Sequence, residues 1–323
     1  MTAMEPSMFS SDLNTNQKII TVIGSIGYDQ KIYLDEMPET GETKFGNIEI
    51  GLGGKGNIEA VACSRMGEET IFIGAVGDKD YDSLQKHFKE NNVDSKLKKV
   101  KNIPSHTACI LIDKDGNHRI ISDPRASFLV DKNLIMDNKE SIERSGYILL
   151  QLEISFQTVE YVIEEYKNKK TIILRPSPPN EIENLKKLFK NVDYLILNEK
   201  ELGAISGDET KTPEQIELAC EKIMKLKPKN LIVPLLDKGW LLYNEKGKKK
   251  FATYSVGEPI DKVGSMDCFI GVFAAFLCKN YELDEAIKYA ILASSICSTK
   301  EGTIPSLPYV HEMMKRRNKI KNW

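Results

Sequence analysis

The sequence predicts an α/β protein: a doubly wound, mostly parallel sheet flanked by helices, with a small β-sheet lid. Three observations predict it. Short runs rich in valine, isoleucine and leucine alternate with amphipathic stretches along the chain. Those runs are apolar throughout rather than alternating, as strands covered on both faces are. Two segments instead read as strand, turn, strand with no helix between them.

The elements follow in order. KIITVIGS (18–25) reads as the first buried strand, and residues 30–51 as the first strand–turn–strand segment. A helix at 57–66 leads to a strand at 70–76 and a helix at 80–91. The second irregular segment, 106–122, carries Asp115-Gly116-Asn117 between apolar runs, a hairpin signal. The two segments are expected to form a small antiparallel sheet projecting from the body. Strands at 146–153, 171–176, 192–198 and 230–236 then alternate with helices at 155–168, 180–190, 199–206 and 213–226. KGKKK (246–250) reads as a solvated turn. Residues 267–279 (DCFIGVFAAFLCK) are apolar nearly all round, which predicts a helix buried in the centre.

With 323 residues, 41% hydrophobic and 28% charged, the chain can bury one large core. The 45 basic and 47 acidic residues give a charge of −2, which argues against a nucleic-acid-gripping surface. No apolar run reaches about 18 residues, so no membrane span is expected. Residues 1–17 are polar and read as a disordered tail, leaving 18–323 as the domain. The six cysteines are scattered, with no CxxC pair. That pattern predicts a cytoplasmic protein without structural zinc.

Several motifs bear chemistry. GLGGKG (51–56) opens a helix and formally matches GxGxxG through Gly51, Gly53 and Gly56. Asp78 follows as a dinucleotide site would want, so a phosphate cradle and a tight strand-to-helix turn both fit. DKVGSMD (261–267) places the N–H groups of Gly264, Ser265, Met266 and Asp267 at the start of the buried helix. It can serve as an anion hole with Asp267 as base, or as an ordinary N-cap. NEKE (198–201) sits where a strand meets a helix. Asn198 and Glu201 can meet a magnesium–phosphate unit there, or simply complement the helix dipole. Asp29 and Glu153 follow strands at the edge where α/β sheets bind ligands; each also reads as a solvated acid.

The order of these motifs, with KEGTIPSLP near the end, resembles the ribokinase (PfkB) family of sugar kinases over roughly residues 18–316. The resemblance implies a ribokinase-like fold whose lid covers the sugar and can clasp a second copy. It implies that Asp29, Gly53, Gly54, Lys55 and Glu153 bind the sugar, that Asp267 is the base, and that residues 264–267 form the anion hole. Asn198 and Glu201 would manage ATP and magnesium, Glu201 through water, and Gly239 would line the nucleotide-side turn. Asp261, Ser298, Glu301 and Ser306 would surround a monovalent cation such as potassium. The implied activity is ATP-dependent phosphorylation of a sugar primary hydroxyl, and GTIPSLP points to ribose as acceptor.

Departures accompany the resemblance. Gly27 and Ile58 stand where the family has asparagine, and Asn57 is one position early, about 100° away on a helix. GSMD replaces GAGD, Lys262 and Val263 replace a threonine-containing turn, and Leu236 replaces a nucleotide-side glycine. They keep open a sugar- or nucleotide-binding protein with impaired catalysis, or a kinase for another sugar or nucleoside. An NAD-dependent oxidoreductase using GLGGKG explains neither NEKE nor GSMD.

Overall fold

The computed structural model describes residues 19–323 except 116–117, 236–237 and 321–322. The expected tail (1–17), the turn residues Gly116 and Asn117, and Leu236 lie outside the described residues. The strands are β1 Ile19–Ile23, β2 Gly27–Tyr33, β3 Asn47–Gly53, β4 Glu69–Gly77, β5 Val93–Val100, β6 His106–Ile112 and β7 His118–Asp123. They continue as β8 Tyr147–Gln151, β9 Thr171–Arg175, β10 Tyr194–Ile196, β11 Asn230–Pro234, β12 Trp240–Asn244 and β13 Gly247–Phe251. The helices are α1 Lys55–Arg65, α2 Tyr81–Glu90, α3 Lys132–Asp137, α4 Lys139–Glu143, α5 Phe156–Tyr166 and α6 Ile182–Leu188. After them come α7 Glu199–Ser206, α8 Pro213–Met224, α9 Ser265–Cys278, α10 Leu283–Ser298, α11 Thr303–Ser306 and α12 Val310–Arg317.

Nine strands form the main sheet in the order β13-β12-β11-β10-β9-β8-β1-β4-β5. The seven from β11 to β5 run parallel, and β12 and β13 add an antiparallel ribbon. Alternate residues of the inner strands feed two different cores. Ile20 and Val22 pack with α1, α9 and α10, whereas Ile19 and Ile23 pack with α5, α7 and α8. Two covered faces are why the strand sequences are apolar throughout.

Four strands form the second sheet, β3-β2-β6-β7. Its strands are longer than the expected segments 30–51 and 106–122: β2 starts at Gly27 and β3 runs to Gly53, so Asp29 lies within the lid. Nor is it wholly antiparallel, since the central β2–β6 pair is parallel. KGKKK is not a loop either, because residues 247–251 form edge strand β13 against β12.

Helix α9 is buried along its length, and two contacts explain how it can be. Phe269 stacks on Trp240 with centroids 4.2 Å apart. Gly271 lies against α1: a Cβ there would stand 2.5 Å from the Glu59 carbonyl oxygen and 2.6 Å from the Ala62 Cβ. The two helices therefore cross at backbone contact, and their N-termini open into one cleft. Gly271→Ala is expected to cost about 1–3 kcal/mol through overpacking. Urea denaturation checks it, and an unchanged midpoint would refute so close a crossing.

Candidate active site

The cleft lies at the carboxyl ends of the parallel strands. From β1 the chain passes through Ser25 into lid strand β2, whose Asp29 faces inward at 7% exposure. A Cβ at Gly53 would stand 2.1 Å from Asp29 Oδ1, so glycine there makes room for the carboxylate. Gly54 adopts φ +92° as it turns β3 into α1, against the Ser25 carbonyl. Gly53 and Gly54 thus both have steric reasons, whereas Gly51 has open space. Asp78 takes no part; it accepts the Asn102 N–H at 3.2 Å away from this turn.

Glu153, just past β8, accepts the first-turn N–H of Lys55 at 3.0 Å and also binds the Lys55 ammonium and the Ser25 hydroxyl. Burial alone would raise its pKa, but the charges of Lys55 and His106 and these hydrogen bonds hold it at about 2. Asp29 goes the other way. Burial first, and then the Glu153 charge, lift it to about 6. Two nearby acids are thereby split in protonation behaviour.

Helix α7 opens with a capping box: Asn198 Oδ1 accepts the Glu201 N–H at 2.8 Å, and Glu201 Oε2 accepts the Asn198 N–H at 2.9 Å. Arg175, the last residue of β9, donates to Glu201 Oε1 from Nη2 at 3.0 Å and from Nε at 3.2 Å. Its Nη1 donates to Asp267 Oδ1. All three side chains are buried. Burial opposes the Arg175 cation, yet Asp267 and Glu201 outweigh it and hold the guanidinium charged. Burial also lifts Asp267 above the usual carboxylate range, against the pull of Arg175 and Lys55. The motifs around Asp267 and Glu201 thus meet through an arginine that the sequence reading missed.

Asp267 is the third residue of α9, whose N-cap is Gly264 at φ +81° with no capping side chain. Met266 lies inside the helix, so its N–H keeps first-turn geometry and the missing glycine brings no strain. Gly239, at φ +112°, turns β11 into β12 beside the Phe251 carbonyl. The departures also have visible causes. At Gly27 a Cβ would stand 1.7 Å from the His106 carbonyl oxygen. Asn57 faces away, its Oδ1 2.8 Å from His87 Nε2, while Ile58 approaches Gly264.

Most of the groups expected around a monovalent cation already have protein partners. Asp261 Oδ2 is bound by the ammonium of Lys31 and Oδ1 accepts the Val263 N–H at 2.9 Å. The Ser298 carbonyl accepts the N–H groups of Ile260 and Asp261. The Ser306 hydroxyl donates to the Thr303 carbonyl at 2.8 Å, and Glu301 is exposed. Among the described residues no cluster of three or more His, Cys, Asp or Glu side chains could hold a metal. Glu201, with both oxygens hydrogen-bonded, suits water-bridged rather than direct contact with magnesium. No helix among the described residues is long and apolar enough to cross a membrane.

A cavity of about 370 Å³ lies between the lid and residues 302–305, with Asp29, Lys31 and Thr303 in its wall. A larger one, about 460 Å³, opens at the amino ends of the strands. There Lys229 and Asp193 neutralise each other at 2.6 Å, so the chemistry favours the smaller cavity.

A lidded α/β sheet, with a buried carboxylate at one helix N-terminus and a capped Asn–Glu box at the next, defines a small-molecule kinase. The chain belongs to the pfkB family of carbohydrate kinases, whose model matches residues 17–309. It is 31% identical over 313 residues to a ribokinase of Dictyostelium discoideum, covering 91% of this chain and 98% of that one. The ribokinase structure from Giardia lamblia superimposes with a TM-score of 0.86 at 26% identity, over 94% of this chain and 99% of that one. Arabidopsis thaliana ribokinase, solved with ribose and ATP, gives 0.80 at 26% identity, over 93% and 98%.

Replacing Arg175 with methionine leaves two buried acids without their cation. The expected loss is about 3–5 kcal/mol near pH 7. With the cation gone, burial still lifts Asp267 above its unfolded value, so the penalty shrinks as pH falls from 7 towards about 4. Chemical denaturation of Arg175→Met at both pH values checks this; a pH-independent deficit would refute it.

Proposed function

We propose that the protein transfers the γ-phosphoryl group of ATP to the primary hydroxyl of a sugar, as a ribokinase does, with ribose as the acceptor. The observation that carries this reading is Asp267 at the start of α9, joined through Arg175 to the capping box of Asn198 and Glu201. Asp29, Glu153 and the Gly53-Gly54-Lys55 turn hold the sugar hydroxyls. Asp267 takes the hydroxyl proton as the sugar oxygen bonds to phosphorus and the bond to ADP breaks. The N–H groups of residues 264–267 stabilise charge on the transferring oxygens. Asn198 and Glu201 face the phosphates, and Gly239 leaves space for the nucleotide. Magnesium arriving with ATP supplies phosphate neutralisation. Free thiols at Cys63, Cys220, Cys268 and Cys297 support a reducing, cytoplasmic setting.

A second acceptor class has specific support. Gly27 and Ile58 remove two polar side chains from the sugar side, which favours an acceptor with fewer hydroxyls, such as a deoxypentose. Each lost hydrogen bond is worth about 0.5–1.5 kcal/mol.

ADP release from MgATP should depend on added pentose and vanish in Asp267→Asn; turnover that survives this change would refute Asp267 as base. Asp29 binds hydroxyls best when ionised, so kcat/KM should fall as pH drops below about 6. A profile flat from pH 7 to pH 5 would remove Asp29 from that role.

The lid supports self-association. By register Ile32, Ile48, Ile50, Leu111 and Ile121 share the lid face opposite that of Asp29 and Lys31, and Ile48, Ile50 and Ile121 are 62%, 67% and 67% exposed. Two lids packed by this face would make a homodimer. Sedimentation should find a dimer, and Ile50→Glu should convert it to a monomer with an unchanged circular dichroism spectrum. A wild-type monomer at micromolar concentration refutes the clasp.

A further inference from the structure

The family to which the chain belongs implies a monovalent cation beside Asp261, and the residues present do not fit one. Potassium needs several oxygens with lone pairs to give. Here both Asp261 oxygens are engaged, the Ser298 carbonyl accepts two backbone N–H groups, and Val263 has no side-chain oxygen. What stands against Asp261 instead is an ammonium group. Lys31 is buried on lid strand β2, two residues beyond Asp29 and on the same face, with a side-chain exposure of 8% against 15% for Asp261.

We infer that the Lys31 ammonium is a built-in replacement for the monovalent cation, so that this kinase works without potassium. An ammonium carries the same charge as potassium and is close to it in size. Because it is tethered, it is present at full occupancy whatever the salt and pays no entropy of capture. Its position also gives it a task. Asp261 holds the Val263 N–H and so shapes the turn that delivers Gly264 and the first N–H groups of α9. A cation that neutralises Asp261 leaves those N–H groups facing a phosphate without a bare carboxylate behind them. The other charged groups near Lys31 are Asp29 on its own strand and Glu49 directly across on β3; neither offers a second cation.

The inference rests on the kinase reading, but its test has a readout that does not. Thermal melting of the wild-type protein is measured in potassium chloride and in tetramethylammonium chloride at equal ionic strength, without substrates. The melting temperatures should coincide, and the pentose-dependent rate should differ by less than about twofold between the salts. Lys31→Met should lose roughly 10²-fold in rate without potassium, the scale of one lost electrostatic contact. Potassium should then raise both its rate and its melting temperature, because the vacated carboxylate can take the ion. Potassium-specific stabilisation or several-fold activation of the wild type would overturn the inference, as would a folded Lys31→Met that ignores potassium. The wild-type comparison decides even where Lys31→Met does not fold. Absence of turnover in both salts would count against the kinase reading alone, since the melting comparison still reports whether potassium binds.

Discussion

Everything in the cleft depends on how closely α1 and α9 cross. Gly271 lets the two backbones touch, and a helix brings unpaired N–H groups wherever it begins. Held at this separation, α1 presents Lys55 and its N–H to Glu153, while α9 presents Asp267 to Arg175. Neither helix has a capping side chain at that end; the first N–H of α1 goes to the Glu153 carboxylate, and the start of α9 is left to an anion. The Phe269–Trp240 stack and the apolar length of α9 keep that geometry rigid.

Around these termini, each buried cation is matched to an acid: Lys55 with Glu153, Lys31 with Asp261, and Arg175 with both Glu201 and Asp267. Buried pairs of this kind are poor sources of stability, because desolvation offsets most of their attraction. Their use is positional. Arg175 fixes the distance between Asp267 at the start of α9 and Glu201 at the start of α7.

Much of this was legible along the chain, for identifiable reasons. The inner parallel strands lie between two cores, and that leaves an unbroken apolar imprint in runs such as KIITVIGS and TIILR. Strands β5 and β13 escaped because they sit at the sheet edges and carry VDSKLKKV and GKKKF, which look solvated. The true start of β2 at Gly27 depends on the His106 carbonyl, a contact no local pattern reports. The helix starts at Gly264 and Asn198 were readable because glycine, a capping side chain and a first-turn acid mark them. Arg175 and Lys31 were not readable, because each is a lone basic residue whose partners lie far off in sequence. Asp267 is 92 positions from Arg175, and Asp261 is 230 from Lys31.

The lysines of β13 and β5 also govern what happens outside the cleft. Any nine-stranded sheet ends in two rows of unpaired peptide groups that invite another strand. Here one edge carries Lys248, Lys249 and Lys250, and the other Lys96, Lys98 and Lys99. A neighbouring chain extending either row would bring its own backbone against crowded ammonium groups, which is how natural sheets discourage fibre-like growth. Both ends of the main sheet are thereby poor templates for an added strand, although its interior is built from strands that pair readily.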